Sequence, residues 1–276
     1  VAAVPATAAI VPASRTVRAA SRRIDGGEIL VMFNEGAEPY EGELLVDAPH
    51  VYSFHPRFGV VQNMRVQRHR IELQLGPGDT RVFLLSKEPR DAEPPREKSK
   101  DSIVLDDGIQ AKPYRRYVVG EHDFEIVPQT QPPVPFAQAA SWRTWLTEDY
   151  SGQVDYTASF DLPKDWENQL LQLETGPIEY AAQVLFDGKP VGSLLWAPWS
   201  VELPPSAAGH HEVTIRVANT LANELTSERI TQAWAAKSGP GWPSPYHKRA
   251  IEFEKESRGG GLKGPVRLFA LKRVEG

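Results

Sequence analysis

Between positions 154 and 162, Val154, Tyr156, Ala158, Phe160 and Leu162 are separated by Asp155, Thr157, Ser159 and Asp161. A period of two puts the five apolar side chains on one face of a β-strand and the four polar ones on the other. The same period returns where Val213, Ile215 and Val217 alternate with Glu212, Thr214 and Arg216, and where Ile71, Leu73 and Leu75 alternate with Arg70, Glu72 and Gln74. A further strand is expected over residues 266–271. Segments 182–186 and 191–195 flank Asp187-Gly188-Lys189-Pro190, a tight-turn sequence that joins two strands. Runs at 15–24, 28–34, 42–47, 69–75 and 81–86 also have strand character. Asp25-Gly26-Gly27 and Gly76-Pro77-Gly78-Asp79 punctuate them with residues that accept positive φ, so hairpins are the economical reading. Only residues 221–237, with Leu221, Leu225, Ile230 and Trp234, have loosely helical spacing. Closely spaced strands without alternating helices predict an all-β chain, not βαβ units.

A change of composition divides this series. Residues 87–102, KEPRDAEPPREKSKDS, hold 10 charged side chains and three prolines in 16 positions, too little apolar surface to bury. The expected organisation is an extended or disordered segment at 1–13, a small antiparallel β-sandwich at 14–88, a charged linker at 89–101 and a jelly roll at 102–276. The chain opens on Val1 with an Ala-rich stretch that has neither the basic start nor the apolar core of a signal peptide, and it reads as a fragment or a processed chain.

Composition narrows the function. Lys and Arg total 31 against 36 Asp and Glu, a net charge of −5, which leaves no basic surplus for a nucleic-acid backbone. No apolar run approaches the ~18 residues of a membrane-spanning helix. The absence of Cys removes disulfides, thiolate metal sites and Cys nucleophiles, and leaves the compartment open. There is no GxSxG, HExxH, P-loop or GxGxxG sequence. His210-His211 is the one adjacent histidine pair; neighbouring strand residues point to opposite faces, so the rings diverge and solvated loop histidines are the simpler reading than a metal site. Glu174 and Glu179 bracket a Gly-Pro turn and Asp187 lies in a hairpin turn, where short acids serve the backbone. The pattern gives no facing carboxylate pair of the kind glycoside chemistry needs.

The aromatics carry more information. Trp196-Ala197-Pro198-Trp199 and Trp242-Pro243-Ser244-Pro245-Tyr246 set large rings beside stiff prolines. Such rings either fill a core or present flat faces on which a pyranose stacks with little further loss of entropy. Trp196, Trp199, Trp242 and Tyr246 are therefore the candidate sugar-binding residues, whereas Trp142 and Trp145 lean towards packing.

The stretch from Tyr156 to Leu225 resembles the galactose-binding-like β jelly roll, the sugar-binding domain of family 2 glycoside hydrolases and their relatives. The resemblance rests on Phe160-x-Leu162-Pro163, on Leu171-x-Leu173-x-x-Gly176, and on the Ala182 to Gly192 stretch, with Asp187 where that family usually has Asn. Asn219-Thr220-Leu221-Ala222-Asn223 and Gly261-Leu262-Lys263-Gly264-Pro265-Val266-Arg267-Leu268 are similar to the C-terminal signature of bacterial α-L-rhamnosidase-like glycoside hydrolases. Residues 28–35 and Leu75-Gly76-Pro77-Gly78-Asp79-Thr80-Arg81-Val82 resemble the β-domain those enzymes carry after the catalytic barrel, and His55-Pro56-Arg57-Phe58-Gly59 is a partial match.

The resemblance implies a small antiparallel β-sandwich followed by the jelly roll; localisation stays open, and a secreted or periplasmic parent enzyme is compatible with it. It carries over no catalytic residue, because in that group the acid and base belong to the barrel. The expected role is a non-catalytic accessory region whose partner is the catalytic domain of the same parent, with saccharide contact as a further expectation. An independent carbohydrate-binding module and a structural or protein-interaction domain are the competing readings. No cofactor or metal is expected beyond a structural calcium, for which the sequence offers no ligand set.

Overall fold

The computed structural model describes residues 8–55, 60–94, 96–120, 123–139, 141–237 and 259–273. The chain is all-β and falls into two compact units. The first holds residues 1–98 with 196–198 and 271–276, and the second residues 99–195 with 199–270.

In the first unit a three-stranded sheet, Ala8–Val11, Tyr40–Val46 and Arg70–Leu75 in that order, faces a five-stranded sheet. The second sheet runs Val17–Ile24, Gly27–Asn34, Thr80–Ser86, His50–His55 and Val60–Asn63, all antiparallel. The alternation predicted at 69–75 is realised with Ile71, Leu73 and Leu75 buried and their polar neighbours exposed. They close a core with Leu30, Met32, Leu44, Val51, Phe83 and Leu85. The Asp25-Gly26 turn links the hairpin strands Val17–Ile24 and Gly27–Asn34, whereas the turn through Gly78 carries the chain from Arg70–Leu75 in one sheet to Thr80–Ser86 in the other, so the second expected hairpin is a crossover between sheets; both glycines take positive φ. Buried Asn34 fixes the second turn: its Nδ2 donates to the Leu75 carbonyl at 3.1 Å and to the Glu38 carbonyl at 2.8 Å.

Residues 89–101 are exposed in most side chains, as their charge dictates, yet their backbone is engaged. The Arg90 N–H donates to the Tyr52 hydroxyl at 2.7 Å, Glu93 bridges Gln62, and Arg96–Lys98 pairs with residues 271–273. Backbone pairing needs no apolar side chain, so composition alone does not reveal it.

The second unit is a two-sheet sandwich. The larger sheet has the order Phe124–Pro128, Gln110–Val119, Gly152–Leu162, Gly209–Ala218, Ala181–Phe186 and Lys189–Leu194, with Val134–Pro135 also on Gln110–Val119. The other sheet runs Ile103–Val104, Arg267–Arg273, Leu170–Glu174 and Ser200–Leu203. Val154, Tyr156, Ala158, Phe160 and Leu162 all point into the core, opposite Val217, Ile215 and Val213 on the neighbouring strand. They meet Leu171, Leu173, Leu203 and Leu268 from the facing sheet, with Val266 just before its strand Arg267–Arg273. The Asp187-Gly188 turn has φ of 47° and 73°, the doubly positive pair a two-residue hairpin loop requires. The expected helical stretch splits into Ala222–Leu225 and Glu228–Lys237. Among the described residues no helix is long and apolar enough to cross a membrane.

Candidate functional site

The candidate sugar-binding aromatics fall in different settings. Trp196 is 66% exposed, beside Leu195 at 53%. Trp199 is partly buried against the core of the second unit, and its carbonyl accepts the Thr175 N–H at 2.9 Å. Trp242 and Tyr246 lie outside the described residues. Trp142 is buried, its Nε1–H donating to the Tyr156 hydroxyl at 2.7 Å, and Trp145 packs against the same core, so both are packing residues as the sequence suggested. Burial drives the Tyr156 hydroxyl up to about 12, outweighing the bond from Trp142 that acts the other way.

The acids singled out in the sequence serve the fold. Glu174 accepts a bond from Gln172 at 2.9 Å, and Glu179 pairs with Lys263 at 3.1 Å. Asp187 accepts the Glu212 N–H at 3.0 Å and faces the His211 ring at 2.8 Å. His210 and His211 do diverge: His210 is exposed near Asp161 at 3.5 Å, while His211 turns onto Phe160 and Phe186. The expectation of two solvated loop histidines therefore needs correction: both lie inside the strand Gly209–Ala218, and only His210 is largely in solvent, since the aromatic neighbours of His211 shield its ring. Among the described residues no three His, Asp or Glu side chains gather as a metal site requires.

Three features that sequence reasoning did not identify stand on or beside the larger sheet. A register shift between Pro113 and Arg115 makes Tyr114 an inserted residue, and the Arg216 guanidinium lies 3.6 Å from the centre of its ring. The same guanidinium holds Asp155, its cross-strand partner, through two bonds of 2.7 and 2.8 Å. Alternation places Asp155 and Arg216 on the outward face, but only strand register reveals that they are opposite each other.

Next to it, the hairpin formed by Gln110–Val119 and Phe124–Pro128 extends beyond the sheet. Pairing puts Tyr117 opposite Ile126 and Val119 opposite Phe124; Phe124 and Ile126 are each 50% exposed. The third feature is a buried charge cluster. The fully buried Glu224 accepts the Val119 N–H at 3.2 Å and bonds the Arg229 guanidinium, while Arg116 lies 3.5 Å away and also pairs with Asp149 at 2.8 Å. Burial alone would raise the Asp149 carboxyl, but a Thr147 hydrogen bond and the Arg116 charge outweigh it and hold it below the usual range. The cluster ties the short helix Ala222–Leu225 to the hairpin. Each of its acids lies beside an arginine.

No family model matches the chain. A putative beta-glucuronidase from Formosa agariphila is 27% identical over 161 residues, which is 50% of this chain and 14% of that protein. Among solved structures, the rhamnosidase from Novosphingobium sp. PP1Y superposes with a TM-score of 0.59 at 20% identity over 95% of this chain and 25% of its own. A GH2 beta-galacturonidase from Eisenbergiella tayi matches 65% of this chain and 26% of its own at a TM-score of 0.35 and 20% identity. The chain thus spans a quarter or less of the length of the first two relatives. Its all-β fold is one that occurs within glycoside hydrolase chains.

Proposed function

We propose that this chain is a non-catalytic accessory region of a larger α-L-rhamnosidase-like glycoside hydrolase, with the catalytic domain of the same parent as its partner. The observation that carries the reading is the superposition of 95% of the chain on a 25% share of the Novosphingobium rhamnosidase. The side-chain chemistry agrees with it. Glu174, Glu179, Asp187 and Glu224 each hold a protein partner, and Trp142, Tyr150, Tyr156 and Trp166 pack in the core. In this reading the two sandwiches support and shield the domain that breaks glycosidic bonds. Assaying the isolated chain for sugar release tests it: turnover that depends on one of these carboxylates is the outcome that excludes an accessory role.

A second reading, contact with saccharide through Trp196, Trp199, Trp242 and Tyr246, is favoured by the 66% exposure of Trp196. A ring held beside Pro198 and open to solvent has the form that a pyranose stacks on. Titration with oligosaccharides is expected to quench tryptophan fluorescence, and Trp196→Ala to remove the response without loss of fold, since that side chain is mostly in solvent. Affinity should be weak, because one or two stacked rings little more than offset the cost of ordering the ligand. An unchanged spectrum at millimolar sugar contradicts this contact and leaves the accessory role standing.

A further inference from the structure

We propose that His211 is a pH-operated latch, clamping the Asp187-Gly188 turn and the loop at Ala207 to the strand Gly209–Ala218 while its ring carries both protons. The ring has an acceptor at each nitrogen: the Asp187 Oδ2 lies 2.8 Å from Nδ1, and the Ala207 carbonyl oxygen lies 2.8 Å from Nε2. A neutral imidazole has only one N–H. Whichever tautomer it takes, one ring lone pair is left facing an oxygen lone pair, so one of the two bonds is lost. Only the imidazolium makes both.

The surroundings keep the ring in place for this. Phe186 stacks on it at 5.2 Å between centroids and 24° between planes, and Phe160 lies at 6.0 Å. The His211 side chain is 12% exposed against 44% for Asp187, so water solvates the ring poorly but reaches the carboxylate once the bond is lost. Asp187 is itself fixed from the other side, its Oδ1 accepting the Glu212 N–H at 3.0 Å while its own N–H donates to the Glu212 carbonyl at 2.9 Å. Losing the His211 bond therefore loosens a turn that the same strand grips at the next residue.

The remaining charged groups around the latch act at its margins. Lys189 follows the turn and stabilises the Asp187 carboxylate. Glu167 accepts the Ala208 N–H at 3.4 Å and is neutralised by Lys164. His210 and Asp161 point to the opposite face and are largely in solvent. Asp187 is the acid that faces the ring, whereas Glu212, the next residue along the strand, points to the opposite face. Burial would by itself lower the His211 pKa, but the Ala207 carbonyl and the Asp187 carboxylate outweigh it and raise it. For Asp187 burial likewise acts upwards, and the Glu212 N–H and His211 reverse it, leaving the carboxyl below its ordinary value. The signs follow. The histidine contribution is complete below its unfolded pKa and lost as pH rises through the raised folded one. The aspartate contribution is complete above its unfolded pKa and lost as pH falls through the lowered folded one. The latch is closed between those limits and opens on the alkaline side when His211 gives up a proton.

The test is an NMR titration of the imidazole groups in the intact chain, paired with amide exchange at Asp187 and Glu212 normalised to the intrinsic rate at each pH. His211 is expected to titrate at higher pH than in the same chain unfolded in urea. Both amides should lose protection across that titration. Asp187→Asn should lower the His211 midpoint, and His211→Gln, which cannot titrate, should abolish the pH dependence of exchange. If His211 titrates at or below its unfolded midpoint, or if Asp187→Asn leaves it unmoved, the latch is overturned. It is equally overturned if exchange in His211→Gln keeps the parent pH profile.

Discussion

Asn219 shows how much one side chain does at the end of the jelly roll. Its Oδ1 accepts the Gly152 N–H at 2.8 Å and its Nδ2 donates to the Tyr150 carbonyl at 2.9 Å, both within the protein interior. Asn223 adds a second donor to the Tyr150 carbonyl at 3.0 Å, and the Ser151 hydroxyl accepts the Glu224 N–H at 3.0 Å. The Asn219-Thr220-Leu221-Ala222-Asn223 sequence that carried the family resemblance is thus a backbone clamp. Two amides, four residues apart, reach the same carbonyl. Asn219→Ala should cost about 1–3 kcal/mol, since it leaves a buried donor and one bond of a buried acceptor unmade, and urea denaturation monitored by circular dichroism measures it. Little of this was legible beforehand. Sequence identified the residues through resemblance, but a clamp between positions 69 and 73 residues apart exists only once pairing of Gly152–Leu162 with Gly209–Ala218 brings together Tyr150, just before the first strand, and Asn219, just after the second. The same holds for His211: adjacency to His210 gives its direction, while the Phe186 and Asp187 that give it its setting lie 24 or more residues away along the chain.

At the scale of elements, strands with one covered face were readable and strands covered on both faces were not. Gly152–Leu162, Arg70–Leu75 and Gly209–Ala218 alternate because one side meets the core and the other meets solvent. In His50–His55 the adjacent Val51 and Tyr52 are both buried, Val51 in the core and Tyr52 on the other face with its hydroxyl holding Arg90. The period of two is therefore absent from that sequence. Gly176 shows where a motif residue acquires its reason. A Cβ at this position would stand 2.3 Å from the Lys263 carbonyl oxygen and 2.5 Å from that of Gly264, both backbone atoms with little freedom to retreat. The turn after Leu170–Glu174 is thus pressed against the segment leading to the last strand, and only a hydrogen fits between them. Gly176→Ala should destabilise the protein by about 1–3 kcal/mol through overpacking, read as a lower thermal midpoint in calorimetry. An unchanged midpoint would mean that the two backbones separate at no cost. The same steric logic holds at Gly192, where a Cβ would meet the Val201 side chain at 2.3 Å.

For the molecule as a whole, the sequence conveyed the class of fold more fully than the place of any site. Alternation and turn residues suffice for antiparallel sheets, because they are properties of neighbours along the chain. A binding surface is a property of neighbours in space. The exposed apolar pair Phe124 and Ile126 lies in a strand to which the pattern gave no notice, and Trp196 became distinguishable from Trp199 only by the surface each exposes. Folding energy comes from two separate apolar cores, and the acids singled out in the sequence are bound by protein partners. The central claim is that bond cleavage belongs to a part of the parent enzyme other than this region. Its most direct test is the rate of aryl α-L-rhamnoside and aryl β-D-glucuronide hydrolysis by the purified, folded chain alone, followed across the pH range of its stability. The account predicts a rate equal to the protein-free blank for both substrates. Hydrolysis that survives repurification and vanishes when a single carboxylate, such as Glu179 or Glu174, is replaced by its amide would contradict it.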